Sequence, residues 1–223
     1  MPVIALIAAA ALQSADAELP GNEYRLDRGR SDGQNTWSLG PWSGTFGGMA
    51  RRGSLIPGRS NNYSRASFTV HGPHFEDGEV GVRCEGRESS FSIGWIEFDR
   101  DELVYACDFY RNEELIDTRF ELAFSRGRGF IDRMSRNRRA GEIHHEGRTV
   151  RFETLPVGSG FLTGQPVAGY NYYDGTGNHI GRMEYNMMRP DIVVPPDGSH
   201  DQEAVLLAAL ALVFFMDPAN DAN

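Results

Sequence analysis

Six arginines, Arg126, Arg128, Arg133, Arg136, Arg138 and Arg139, crowd into residues 126–139 with Asp132 as the one acid among them. Guanidinium forks pair with phosphate and carboxylate oxygens, so this segment has the chemistry of an anion or phospholipid-headgroup site. The competing reading is a solvated loop whose charges are met by acids elsewhere in the fold. The segment reverses the sign of the whole chain, which has 22 Lys+Arg, all of them Arg, against 31 Asp+Glu and a net charge of −9. An acidic total argues against a general nucleic-acid binder, because phosphate contacts need a cationic surface.

Other chemistry-bearing residues read as structural. His71 and His74 flank Gly72-Pro73, with Glu76 and Asp77 behind, and have the right donor types for a metal. A Gly-Pro loop with scattered polar groups is ordinarily a solvated turn, so no metal is assigned. His144 and His145 are adjacent on a strand and point to opposite faces. The acid pairs Asp99/Asp101 and Glu113/Glu114 are the types a glycosidase uses, but at strand ends they read as turn residues. Tyr170, Tyr172, Tyr173 and Tyr185 read as cross-strand packing rather than a carbohydrate surface. No His-Glu-x-x-His or Cys-x-x-Cys spacing occurs. The sequence therefore assigns no catalytic residue and no cofactor, and leans towards a protein that is not an enzyme.

These groups need a scaffold. Of 223 residues, 26 are Gly and 11 are Pro, a turn-rich composition that points away from a helical bundle. From residue 63 onward, 66–70, 80–84, 91–98, 103–110 and 115–124 are strand-like, and 141–152 and 168–185 read as hairpins turning at Glu146-Gly147 and at 174–178. Residues 18–60 are rich in Gly, Ser, Arg and Pro and read as an irregular lead-in with one short strand. Short strands at this spacing indicate a sandwich or a barrel.

The pattern then changes once. Residues 204–216 are consecutively apolar, about 20 Å of helix, too short for a membrane span. Ser199 with Gln202 predicts a capping box, and Pro218 a stop. A helix apolar on every face must be enclosed by protein. The expected fold is therefore all-β with one helix: an antiparallel closed barrel over 61–217 around a buried C-terminal hydrophobic helix at 200–216, with 218–223 a tail.

Ile192-Val193-Val194-Pro195-Pro196-Asp197 followed by the run from Gln202 to Met216, with a glycine-punctuated hairpin at Asp174-Gly175 and Ile180-Gly181-Arg182, resembles the tubby C-terminal and phospholipid-scramblase superfamily. The resemblance covers residues 60–217 and implies a barrel wrapped on a hydrophobic helix. It carries no site residue across.

The first 17 residues predict an export signal. Val3 to Leu12 are apolar, and Ala15-Asp16-Ala17 places small residues where a signal peptidase reads. The expected location is periplasmic or extracellular, with no transmembrane span in the mature chain. In an exported chain Cys84 and Cys107 are candidates for a disulfide. With 91–98 read as a strand between theirs, they would stand about 9.5 Å apart in a flat meander, beyond bridging reach. Bridge and free thiols both remain open. The sequence thus describes an exported, non-enzymatic barrel that binds an anionic ligand or headgroups. The alternatives are an envelope protein-interaction module or, third, an enzyme of unrecognised type.

Overall fold

Strands with inward apolar and outward polar residues build the wall. In β7 (Glu114–Phe124), Phe120 and Leu122 are fully buried, while Arg119 and Glu121 face outward and pair with each other. In β9 (Arg148–Thr154), Val150 and Phe152 are buried between the more exposed Arg151 and Glu153. One face of each strand is dictated by burial, and that alternation fixes the register. In the computed structural model, which describes residues 19–56, 59–75, 78–88, 103–124, 139–155, 168–186 and 189–215, twelve such strands close into an antiparallel barrel.

The remaining strands are β1 (Asn22–Ser31), β2 (Gln34–Leu39), β3 (Trp42–Ile56), β4 (Arg59–Val70), β5 (Val80–Glu88), β6 (Leu103–Arg111), β8 (Arg139–His145), β10 (Gly169–Tyr173), β11 (His179–Asn186) and β12 (Arg189–Val194). Each strand pairs with its neighbour in sequence, and β1 pairs with β12 to close the ring. That seam is latched by Arg25, whose Nε donates to Asp191 Oδ1 at 2.6 Å and whose Nη2 donates to Oδ2 at 3.1 Å.

Eight strands make a barrel whose inward side chains fill it, and twelve enclose more space than that. The excess is taken by α1 (Gln202–Val213), where every residue from Ala204 to Phe214 is buried. The helix packs against β8, β9 and β12. Just past its end, the Phe214 ring meets Trp37, Phe46 and Phe68, and the Phe215 ring meets Tyr105. Gly181 of β11 seats it closely: a Cβ there would stand 3.1 Å from Val205 Cγ1 and 2.8 Å from the Val193 carbonyl.

Three local expectations change. Residues 18–60 supply β1, β2 and β3 and the start of β4, not an irregular lead-in. Their inward positions are few but large, with Leu26, Trp37, Leu39 and Trp42 buried, and the Gly, Ser and Arg between them hide the alternation. The Ser199–Gln202 capping box does not form. Asp201 is the N-cap without a side-chain cap, Ser199 sits in the preceding turn, and the Gln202 amide donates to Asp197 Oδ1 at 2.9 Å. The cysteine strands are neighbours in the sheet: β5 pairs directly with β6, Cys84 lies opposite Cys107, and a disulfide joins them with Cα atoms 4.0 Å apart. The segment 91–98 lies outside the described residues, as do 1–18 and 216–223.

Candidate functional site at the two barrel rims

The antiparallel topology sorts the connections onto two rims. At the rim around the end of α1, Arg28 of β1 points inward, and its Nη2 donates to the Val213 carbonyl at 3.1 Å. Its guanidinium lies over the Phe46 and Phe214 rings, 5.7 and 5.6 Å from their centroids. No basic residue occupies the last turn of α1, so a strand supplies the cation that the negative end of the helix dipole favours. Burial lowers the pKa of Arg28. Tyr185 donates its hydroxyl to the Leu212 carbonyl at 3.3 Å, and burial raises its pKa.

Arg139 opens β8 at this same rim. Register with Phe124 turns it inward, where it is 6% exposed with its guanidinium 5.2 Å from the Phe215 ring centroid. It is a wall residue packed on the helix end. Arg126, Arg128, Arg133, Arg136 and Arg138 lie outside the described residues.

The opposite rim, around the start of α1, holds a chain of polar groups. Thr118 and His145 face each other across β7 and β8, with Thr118 Oγ1 2.7 Å from His145 Nδ1. His145 Nε2 lies 3.1 Å from Glu203 Oε2, and His74 Nδ1 lies 3.8 Å from the other carboxylate oxygen. Thr118 Oγ1 bonds Nδ1, and Nε2–H donates to the Glu203 carboxylate. The hydrogen bond from His145, followed by the field of His145 and His74, holds the Glu203 carboxyl below the usual glutamate range against the opposing effect of burial.

Hydroxyl, imidazole and carboxylate in series is the order of a nucleophile relay. Here Thr118 is 5% exposed and His145 3%, so both side chains lie within the barrel. The chain fastens the first turn of the helix to the wall. The fold thus takes one histidine from each sequence pair, His74 and His145, onto one carboxylate. His71 pairs instead with Glu79, and His144 with Glu142. Among the described residues no group of three or more His, Cys, Asp or Glu is placed to hold a metal ion. The spacing of Gly29-Arg30-Ser31-Asp32-Gly33 matches a nucleophile elbow, but such an elbow joins a strand to a helix. This segment crosses the β1–β2 hairpin, and the Ser31 hydroxyl bonds Asp32 at 3.3 Å.

The Glu203 contact carries a pH signature. Its folded-state pKa is depressed, so its stabilisation is present above the ordinary value near 4.3 and is lost as pH falls through the lower folded value. Glu203→Gln should lower the melting temperature by a few degrees at pH 7. The gap to the native protein should narrow between pH 7 and pH 3, as the native carboxyl begins to take up its proton. Paired thermal melts at the two pH values test this, and a gap that widens in acid contradicts it.

Comparison with known proteins finds no matching family model, no similar curated protein and no similar solved structure.

Proposed function

We propose that this chain is an exported, non-enzymatic barrel that binds an anionic ligand, a small molecule or phospholipid headgroups, through the rim around the end of its helix. The observation that carries the reading is topological. Segment 125–138 joins Phe124 to Arg139, which are register partners at that rim, so five of the six clustered arginines belong to a connection tethered there at both ends. The connections of the opposite rim contain acidic residues and no arginine. A chain of net charge −9 is therefore polarised along its barrel axis, with its concentrated cationic stretch at one end.

The outward positions of the wall include Arg65, Glu85, Arg119, Glu121, Arg182 and Glu184, the reverse of the apolar band of a lipid-facing barrel. Contact with a membrane would then be made end-on and peripherally. The disulfide is consistent with an oxidising compartment, in line with the export-type leader. The likeness to the tubby-like and scramblase superfamily, whose barrels enclose a hydrophobic helix, supports the same reading.

A second reading has its own observation. Segment 89–102 joins β5 to β6 at the same rim and carries Glu97, Asp99, Asp101 and Glu102 against Arg100. Neutralisation between the two segments would leave a protein-interaction platform in the envelope.

Replacing Arg126, Arg128, Arg133, Arg136 and Arg138 together by Ser decides between them. Co-sedimentation with vesicles of phosphatidylglycerol and phosphatidylcholine should fall at least about tenfold, as expected when several phosphate contacts are removed, with the melting temperature unchanged. Native binding should also weaken as salt rises. Vesicle binding that survives the substitutions overturns the anionic reading and favours the platform.

A further inference from the structure

A groove of about 360 Å³ lies on the outer wall, across β3, β4, β5 and β6, away from the arginine rim. Its floor is two cross-strand rows. Gly47, Ser67 and Arg83 form one; Thr45, Thr69, Gly81 and Tyr110 form the other. The Arg83 guanidinium stacks over the Tyr110 ring at 4.9 Å. Glu79, Asn112 and Glu113 stand at one end.

Two features of this groove have no purpose in the fold. The first is its glycines. Cβ atoms added to Gly141, Gly169 and Gly181 would collide with backbone, so the wall needs glycine at those positions. At Gly47 the nearest atom to an added Cβ would be Ser67 Oγ at 3.7 Å, and at Gly81 the Tyr110 carbonyl at 4.0 Å, both ordinary contacts. Glycine inside a strand weakens it, and where packing does not demand it, it marks a place where something else approaches the backbone.

The second is Glu113. Three two-residue hairpin turns of the barrel share one backbone form with positive φ at both residues. Asp32-Gly33 and Glu146-Gly147 place glycine second, at φ 81° and 77°. Asn112-Glu113 places a glutamate there, at φ 68°. That conformation disfavours a side chain, so the carboxylate is kept at a cost to stability, and strain of this kind gathers at ligand sites.

We infer that this groove is a binding site for a small neutral saccharide. Pockets that take small molecules start near 300 Å³, so the space suits a ligand of one or two rings. The hydroxyls of Thr45, Ser67 and Thr69 and the Asn112 amide offer donors and acceptors at close range. Glu79 is paired with His71, leaving one guanidinium and one carboxylate, Arg83 and Glu113, whose charges offset each other. Such a surface suits a hydroxyl-rich, uncharged molecule. The Glu113 carboxylate would accept two neighbouring sugar hydroxyls, while the glycines admit the ring to the sheet.

The test uses the full, disulfide-bonded chain titrated with glucose, N-acetylglucosamine and their β-1,4-linked disaccharides, followed by amide chemical shifts. At least one sugar should perturb the amides of Gly81, Arg83 and Asn112 in the millimolar range. Glu113→Gly and Gly81→Val should each weaken that binding more than tenfold while melting at or above the native temperature, because one relieves a strained turn and the other restores a strand former. No perturbation by any of these sugars overturns the inference. So does binding unchanged in both variants, or a Glu113→Gly protein that melts lower than the native chain. Perturbation of the same amides by inorganic phosphate alone would also overturn it. None of these results bears on the arginine rim, whose vesicle assay is separate.

Discussion

In the Leu207→Asp variant no cooperative unfolding transition is expected, because the chain has no native state stable enough to populate. Leu207 has no exposed surface and stands at the middle of a helix enclosed by the wall. Deleting its buried apolar group costs about 2–5 kcal/mol, and an uncompensated buried charge costs about 3–5 kcal/mol more. Protonating the aspartate would remove the charge but leave an unpaired carboxylic acid in an apolar interior. The sum rivals the roughly 5–15 kcal/mol that holds a domain folded. Circular dichroism melts of the soluble fraction measure this, with Leu207→Met as a control that should cost less than about 1.5 kcal/mol. The same test on Leu206 and Ala208 sharpens it. A helix docked on one side would tolerate aspartate on at least one of three successive faces, whereas an enclosed helix tolerates none. A soluble Leu207→Asp protein with the native melting temperature would mean that the barrel does not enclose its helix.

Removing the Cys84–Cys107 bond is expected to cost about 3.5 kcal/mol. The bond closes a loop with a sequence separation of 23, and restricting that loop in the unfolded chain accounts for a stabilisation of this size. The two residues are register partners on neighbouring strands, so β5 and β6 remain paired in the folded protein without the bond. The effect therefore acts through the unfolded ensemble. In the double variant Cys84→Ala, Cys107→Ala the melting temperature should fall by about 10 °C for a chain of this size. Reducing agent should shift the native protein by a similar amount and leave the double variant where it is. A double variant that melts within a degree or two of the native protein contradicts the assignment. The compartment argument has the same stake, because a bond contributing this much belongs where oxidation is maintained.

The enclosed helix was readable in advance because its signal is local. Thirteen apolar residues with no polar face admit few environments, and too few for a membrane leaves a protein interior. The strands β4 and β5 were readable for the same reason, since 66–70 and 80–84 alternate over a run long enough to show its period. The strands of 22–56 were not, because at an inward position of β3 a Gly stands between Trp42 and Phe46, where a Cβ would collide with the Thr69 backbone and the Trp37 indole. A glycine required by the backbone of a neighbouring strand looks like loop composition when that strand is unseen.

The composition and periodicity of this chain by themselves determined an all-β wall, an apolar helix that must be covered, and a stretch of arginines opposed in sign to the rest. Register and closure decided everything that depends on partners far apart in the chain. They set Cys84 beside Cys107, brought His74 and His145 to Glu203, turned Arg139 inward onto Phe215, and put Gly47, Gly81 and Glu113 around one groove. The physical reason is that burial preference is a property of each residue and its near neighbours, whereas a contact between strands is a property of the whole ring. A slip of one residue in any of these strands would turn that strand's side chains to the other face.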